Sequence, residues 1–166
     1  MRAGIALGAN LGDRLASLKT ARERVSNLPG VQGPILASSV YETEPVNCEA
    51  TAGRFLNAVV EIEYTGDAAG LLRELRNIEA ALGRPSAHAR NTSRTLDLDL
   101  LYFGDVTILR PELELPHPRM QDRRFVLEPL AQIRPDLVLP GQTRDIATVL
   151  QQLPDRSPLL RVASEW

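Results

Sequence analysis

Residues 55–64 read FLNAVVEIEY, and this alternation constrains the chain more than any other stretch. Successive side chains of a strand point to opposite sides, so Leu56, Ala58, Val60, Ile62 and Tyr64 share one face and Asn57, Glu61 and Glu63 the other. The pattern predicts a half-exposed antiparallel strand with its apolar face in a core. Gly66 and Asp67 break it, and AAGLLRELRNIEAALG then sets Leu71, Leu75, Ile78 and Leu82 at spacings of 4, 3 and 4 residues. That is one helical stripe, opened by Asp67 and ended at Gly83, which suits the left-handed position after a helix. A strand and a helix that each bury one side require further layers.

The flanking sequence supplies them. AGIALGAN makes a first strand, broken at Gly8, Asn10 and Gly12; Asp13 caps a helix carrying Leu15, Leu18, Val25 and Leu28, which stops at Pro29-Gly30. PILASSVYETEP reads as a second strand, and RTLDLDLLYF as the strand after the second helix. Gly104-Asp105 can turn that last strand back as a hairpin into Val106 to Leu109. Short helices are expected around Phe125 to Ile133 and Ile146 to Leu153, followed by a tail at 154–166. The order strand, helix, strand, strand, helix, strand predicts an α+β, ferredoxin-like fold: an antiparallel sheet backed by helices in α/β/α layers. With 166 residues, 43% of them hydrophobic, one domain spanning 1–166 is expected.

Composition narrows the function. The formal net charge is −2 without long runs of one sign, so no nucleic-acid partner and no membrane surface is indicated. No apolar run reaches secretory or membrane-spanning length, and Cys48 is the single cysteine. These features suit a cytoplasmic protein that acts on small molecules, with a monomer as the expected state. Arginine supplies 18 of the 19 basic residues, so an arginine counts as functional only where a motif places it.

Asp97 and Asp99 interrupt the apolar run RTLDLDLLYF two residues apart, which puts them on one strand face with Cα atoms about 6.5 to 7 Å apart. Two carboxylates at about 5 Å repel by about 3 kcal/mol at an effective dielectric near 20, so the pair needs solvent or a cation. Taken alone, it fits a solvated strand face. Magnesium also answers the need, since two metal ions held by a few carboxylates and by substrate phosphates recur in phosphoryl transfer. Arg84, Arg94, His117, Arg119, Arg123 and Arg124 lie in the flanking motifs, and arginine grips phosphate oxygens with a planar fork. A P-loop, kinase signatures, a nucleophile elbow and an H-E-x-x-H site are all missing.

The segments ALGANLGDR, SSVYETEP, FLNAVVEIE, IEAALGR, RTLDLDLLYFGD and LPHPRMQDRRFVLEPLAQIRPD, in this order, resemble the 6-hydroxymethyl-7,8-dihydropterin pyrophosphokinase family of folate biosynthesis over about residues 3–150. The resemblance implies transfer of the β,γ-pyrophosphoryl group of ATP to the pterin hydroxymethyl oxygen, with release of AMP and with two Mg²⁺ ions. Asp97 and Asp99 would hold both metals, and Asp97 would help draw the hydroxyl proton. Arg84 and Arg94 would stabilise the transferring group, while His117, Arg123 and Leu100 complete the ATP site. On the pterin side the family pattern points to Thr43 and Val46 at the rim, Asn57 reading the ring edge, and Phe55 and Phe125 as aromatic neighbours.

The departures from the pattern fall mainly in one loop. RNTSR replaces the family's usual approach to the metal strand: Asn91 stands where a tryptophan often occurs, and Ser86 and Ala87 where some members are basic. Pro118 follows His117 in place of a tyrosine found in some members. Two alternatives therefore stand beside an active pyrophosphokinase: a paralogue acting on a modified pterin, and a weakly catalytic pterin- or ATP-binding module.

Overall fold

The computed structural model describes residues 1–44, 53–82 and 95–166. Val46, Cys48, Gly83, Arg84, the variant loop through Asn91, and Arg94 lie outside the described residues.

The first strand, β1 (Arg2–Ala9), alternates large and small: Ala3, Ile5, Leu7 and Ala9 are buried on one face, and Gly4, Ala6 and Gly8 occupy the other. Gly8 does not break this strand as the sequence suggested; it lies inside the ladder, paired with both neighbouring strands. Helix α1 (Arg14–Ser26) begins where the Asp13 carboxylate accepts the Ala16 N–H at 3.0 Å, and it buries Leu18, Ala21 and Val25. Its companion α2 (Ala68–Ala81) is capped by Asp67, which accepts the Gly70 N–H at 2.6 Å. Leu71, Leu75 and Ile78 are buried on the expected stripe, packed with α1 against the large face of β1.

The expected second strand is divided. β2 (Val31–Ala37) and β3 (Val40–Thr43) run along successive halves of β4 (Phe55–Tyr64), separated by Ser38 and Ser39. The Ser38 N–H donates to the Val59 carbonyl, and its hydroxyl accepts the Val59 N–H, both at 2.9 Å. The serines thus satisfy the backbone where the ladder changes register, without ending the alignment. Next comes β5 (Asp97–Phe103), and the sheet order is β5-β1-β4-β3-β8, with β2 also on β4 and β8 the strand Leu160–Ala163. Every pairing is antiparallel. This is the ferredoxin-like arrangement with one added edge strand.

That edge strand comes from the segment expected to be a tail. β8 pairs with β3, and the Trp166 indole N–H donates to the Ser38 carbonyl at 2.8 Å beneath the guanidinium of Arg22, 5.1 Å from its ring. The turn at Gly104-Asp105 forms as read, with φ of +52° at Gly104 and the Val106 N–H on the Phe103 carbonyl. The strand beyond it does not fold back on β5: β6 (Ile108–Arg110) pairs forward with β7 (Leu113–Leu115) in a separate ribbon.

The largest correction concerns β4, which is covered on both faces and not half exposed. Helix α3 (Arg124–Ile133), backed by α4 (Ile146–Gln152), packs on its second face, around Val59, Leu101, Tyr102, Met120, Leu127 and Leu130. Asn57 and Glu61 are therefore buried, at 6% and 5% exposure. Glu61 is supplied with partners: the Tyr102 hydroxyl donates to its Oε2 at 2.5 Å, and Arg134 Nε lies 3.5 Å away. Burial, and then that hydrogen bond, raise the Tyr102 pKa far above its ordinary value, which keeps the phenol a donor. No helix among the described residues is long and apolar enough to cross a membrane.

Candidate active site

One row of the sheet gathers the residues that the sequence singled out. Asn57 on β4 stands opposite Gly8 on β1, and Gly8 stands opposite Asp97 on β5. All three point to the face that α3 covers only in part. Gly8 keeps the middle of this row low: a Cβ there would lie 3.5 Å from Asn57 Oδ1 and 4.0 Å from Asp97 Cβ. Across β4, Tyr41 pairs with Asn57 and Thr43 with Phe55. The Asn57 amide donates to Thr43 Oγ1 at 2.8 Å, so its orientation is set from behind and its carbonyl oxygen is turned toward the Gly8 gap. Thr43 is buried and Phe55 half buried beside it.

The next row carries the second aspartate, because Asp99 pairs with Ala6. Its carboxylate, 38% exposed, is approached by His117 Nε2 at 4.0 Å and by the Arg123 guanidinium at 3.9 Å. Both come from the segment between β7 and α3, which is tied to β5 by the His117 N–H donating to the Leu101 carbonyl at 2.8 Å. A 3₁₀ turn at Met120–Asp122 then leads to Arg123 just ahead of α3. Arg123 also sits over the ring of Phe125, 5.5 Å from its centre. One guanidinium thereby joins a residue expected at the pterin to the carboxylate expected at the metals.

The Arg119 N–H donates to His117 Nδ1 at 3.2 Å, so in the neutral ring the proton resides on Nε2, the nitrogen that faces Asp99. Burial holds the His117 pKa below its ordinary value; Asp99 opposes that shift, and Arg123 and Arg119 add to it. A histidine kept neutral in the folded state supports stability fully above its unfolded pKa, near 6.5, and that support is lost as pH falls below it. The wild-type protein is therefore expected to lose more stability than His117→Gln between pH 7.5 and 5.5, measured as the shift of the urea midpoint. Equal shifts would rule out a neutral buried imidazole.

Leu100 is placed differently from its aspartate neighbours. Its side chain is 3% exposed in the core beneath α1 and α2, on the opposite face from Asp97 and Asp99, so toward a ligand only its main chain is available. Two residues that the sequence reading passed over belong to the site. Gly8 was taken as a strand stop, although alternation with Gly4 and Ala6 marks a face of small residues. Glu79 is not singled out by the sequence, yet it follows Leu75 by four residues and precedes Leu82 by three, which puts it on the apolar stripe. It is 5% exposed, and its Oε1 accepts the N–H of Leu98, between the two aspartates, at 2.8 Å.

The donor set suits a hard cation. Asp97 and Asp99 offer carboxylate oxygens on one face, and among the described residues no group of three or more His, Cys, Asp and Glu forms a ready cage. Magnesium is commonly held by one or two carboxylates together with water and substrate phosphates, and not by an all-protein shell.

Fold and site together define an α+β protein with an acidic strand pair, a histidine and an arginine beside a buried amide. Residues 4–135 match the family model of 7,8-dihydro-6-hydroxymethylpterin-pyrophosphokinase (HPPK). The chain belongs to this family. It is 39% identical over 142 residues to the 2-amino-4-hydroxy-6-hydroxymethyldihydropteridine pyrophosphokinase of Methylorubrum extorquens, covering 86% of this chain and 88% of that one. It is 44% identical over 129 residues to the Bacillus subtilis protein of the same name, covering 78% of this chain and 75% of that one. Among solved structures it is similar to the wild-type HPPK-DHPS of Plasmodium falciparum, with a TM-score of 0.72 at 14% identity, over 91% of this chain and 44% of that longer one. That likeness concerns the fold alone.

Proposed function

We propose that the protein transfers the pyrophosphoryl group of ATP to the hydroxymethyl group of 6-hydroxymethyl-7,8-dihydropterin in a Mg²⁺-dependent reaction of folate biosynthesis, releasing AMP. The observation that supports this reading is the Asn57, Gly8, Asp97 row, in which a buried amide faces the carboxylate strand across a bare glycine. Family membership and the names of the relatives support it. The acceptor's hydroxymethyl oxygen bonds to the β-phosphorus of ATP, and the bond from that phosphorus to the oxygen bridging to the α-phosphate breaks. AMP departs with that oxygen.

Asn57 can donate to and accept from a pterin edge, with Thr43 fixing its amide and Phe55 and Phe125 offering ring faces. Asp97 and Asp99 are the residues that would hold two Mg²⁺ ions. Bound there, the ions would neutralise triphosphate charge and favour in-line attack. Asp97, next to the Gly8 gap, would take the hydroxyl proton. His117 donates from Nε2 and Arg123 from its guanidinium to phosphate oxygens, and Arg84 and Arg94 are assigned to the transferring group by the family pattern. The protein would act on these small molecules as a monomer in the cytoplasm. A modified pterin as acceptor would rest on residues 86–93, which lie outside the described residues.

Incubation with Mg-ATP and 6-hydroxymethyl-7,8-dihydropterin is expected to yield AMP and the pterin pyrophosphate. Binding of both ligands without AMP would instead favour the weakly catalytic module. Asn57→Ala is expected to weaken pterin binding about 10- to 100-fold, the worth of one or two buried hydrogen bonds, while nucleotide binding holds. Equal losses for both ligands would remove Asn57 from the pterin side.

A further inference from the structure

Among the described residues β5 ends the sheet, with β1 as its strand partner on one side. Its other edge lies against α2, and there the Glu79 carboxylate accepts the Leu98 N–H at 2.8 Å. Leu98 is itself locked, since its side chain is 4% exposed in the core under α1 and α2. The peptide held in this way is the one joining Asp97 to Leu98. Its tilt sets the direction in which Asp97 projects and, one residue on, that of Asp99.

Glutamate is a costly choice for this position. Taking a carboxylate out of water costs several kcal/mol before its partners compensate, and a leucine would continue the stripe of Leu71, Leu75 and Ile78 without that cost. What the carboxylate provides that a leucine would not is an acceptor aimed at one backbone N–H between two candidate metal carboxylates.

We propose that Glu79 is a positioning residue for the aspartate pair: it clamps the edge of β5 so that Asp97 and Asp99, the residues that would hold divalent cations, keep their carboxylates on one strand face. The inference rests on the reading of these aspartates as the metal-holding pair. It extends to the first strand residue the logic by which groups behind a metal ligand fix its orientation, where replacement commonly costs 10- to 100-fold in metal affinity.

Two conservative substitutions separate acceptor from charge. Glu79→Asp keeps the charge but withdraws the oxygens by one methylene; Glu79→Gln keeps an oxygen at the same reach and removes the charge. Binding of Mn²⁺, read by electron paramagnetic resonance in the presence of an ATP analogue with a methylene between the α- and β-phosphorus, is the measurement. Glu79→Asp is expected to weaken Mn²⁺ binding at least about tenfold, and Glu79→Gln less than about threefold. Wild-type affinity in Glu79→Asp, or an equal fall in both variants, would overturn the positioning role. Asp97→Asn run alongside tests the underlying reading separately, because unchanged Mn²⁺ binding there would dismiss the metal pair itself. The wild-type protein gives a check that no folding defect can obscure. Hydrogen exchange at the Leu98 amide should slow at least about tenfold when Mg²⁺ and the analogue bind, as expected of an edge pinned against its site. An unaltered exchange rate would count against the clamp.

Discussion

Asp97→Ala is expected to lower pyrophosphoryl transfer by at least about 10² to 10³-fold, the usual cost of removing one group aimed at transition-state charge. Asp97 stands opposite Gly8 on β1, and the Asn57 amide stands opposite the same glycine from β4. In the proposed reaction, removing it would take an oxygen ligand from the metals and the proton acceptor from the attacking hydroxyl together. The fold should survive, because the side chain is half buried and lies on the outermost strand. Circular dichroism and the melting temperature should match those of the wild type, pterin binding should persist, and the initial rate of AMP release should collapse. Undiminished turnover would sink the assignment.

Gly4→Ala is expected to be the most damaging single methyl group in the sheet. A Cβ at Gly4 would lie 2.2 Å from Tyr102 Cε1, 2.7 Å from Cζ and 2.8 Å from Cδ1. The ring has nowhere to retreat: Tyr102 is 2% exposed, and its hydroxyl is bound to buried Glu61. Overpacking of this kind costs about 1–3 kcal/mol, and losing a hydrogen bond to a charged group about 1.5–3 more. A total of about 3–5 kcal/mol is a large share of a domain's stability of about 5–15 kcal/mol. The urea midpoint should fall accordingly with little change in slope. Combining Gly4→Ala with Tyr102→Leu should cost less than the sum of the two, since the second change removes what the first strikes. Simple additivity would refute the clash.

How far the molecule could be read from its sequence depends on the distance over which each feature is decided. The stripe Leu71, Leu75, Ile78 and the caps Asp13 and Asp67 are local, and they formed as written. The turn at Gly104 is local too, but the partner of the strand beyond it is not, and β6 chose β7. Asn57 and Glu61 looked solvent-facing because their chemistry is polar. What buries them is α3, brought back from about sixty residues along the chain, together with Tyr102 and Arg134. The C-terminal strand carried no signal beyond LLRVA, and its pairing depends on an edge that only the folded sheet presents.

The site divides in the same way. Asp97, Asp99, His117 and Arg123 were legible because they sit in contiguous motifs, and the structure gathers His117 and Arg123 at Asp99. Thr43 and Asn57 were named separately, and their mutual hydrogen bond is a matter of register. Glu79 escaped notice because an acidic residue on an amphipathic helix reads as solvent-facing until its position on the stripe is weighed against its charge.

The bare backbone at Gly8 has a consequence for drug resistance. A compound seated between Asn57 and Asp97 would rest on a peptide, and peptides are the one surface of a protein that point mutation does not exchange. A resistant variant at this position has to add atoms, and the first of them, a Cβ, already reaches to 3.5 Å from Asn57 Oδ1. On the proposed function, a change at Gly8 that excludes an inhibitor no thicker than the pterin would obstruct the pterin as well. The safest ground for such a compound is the backbone floor of the row.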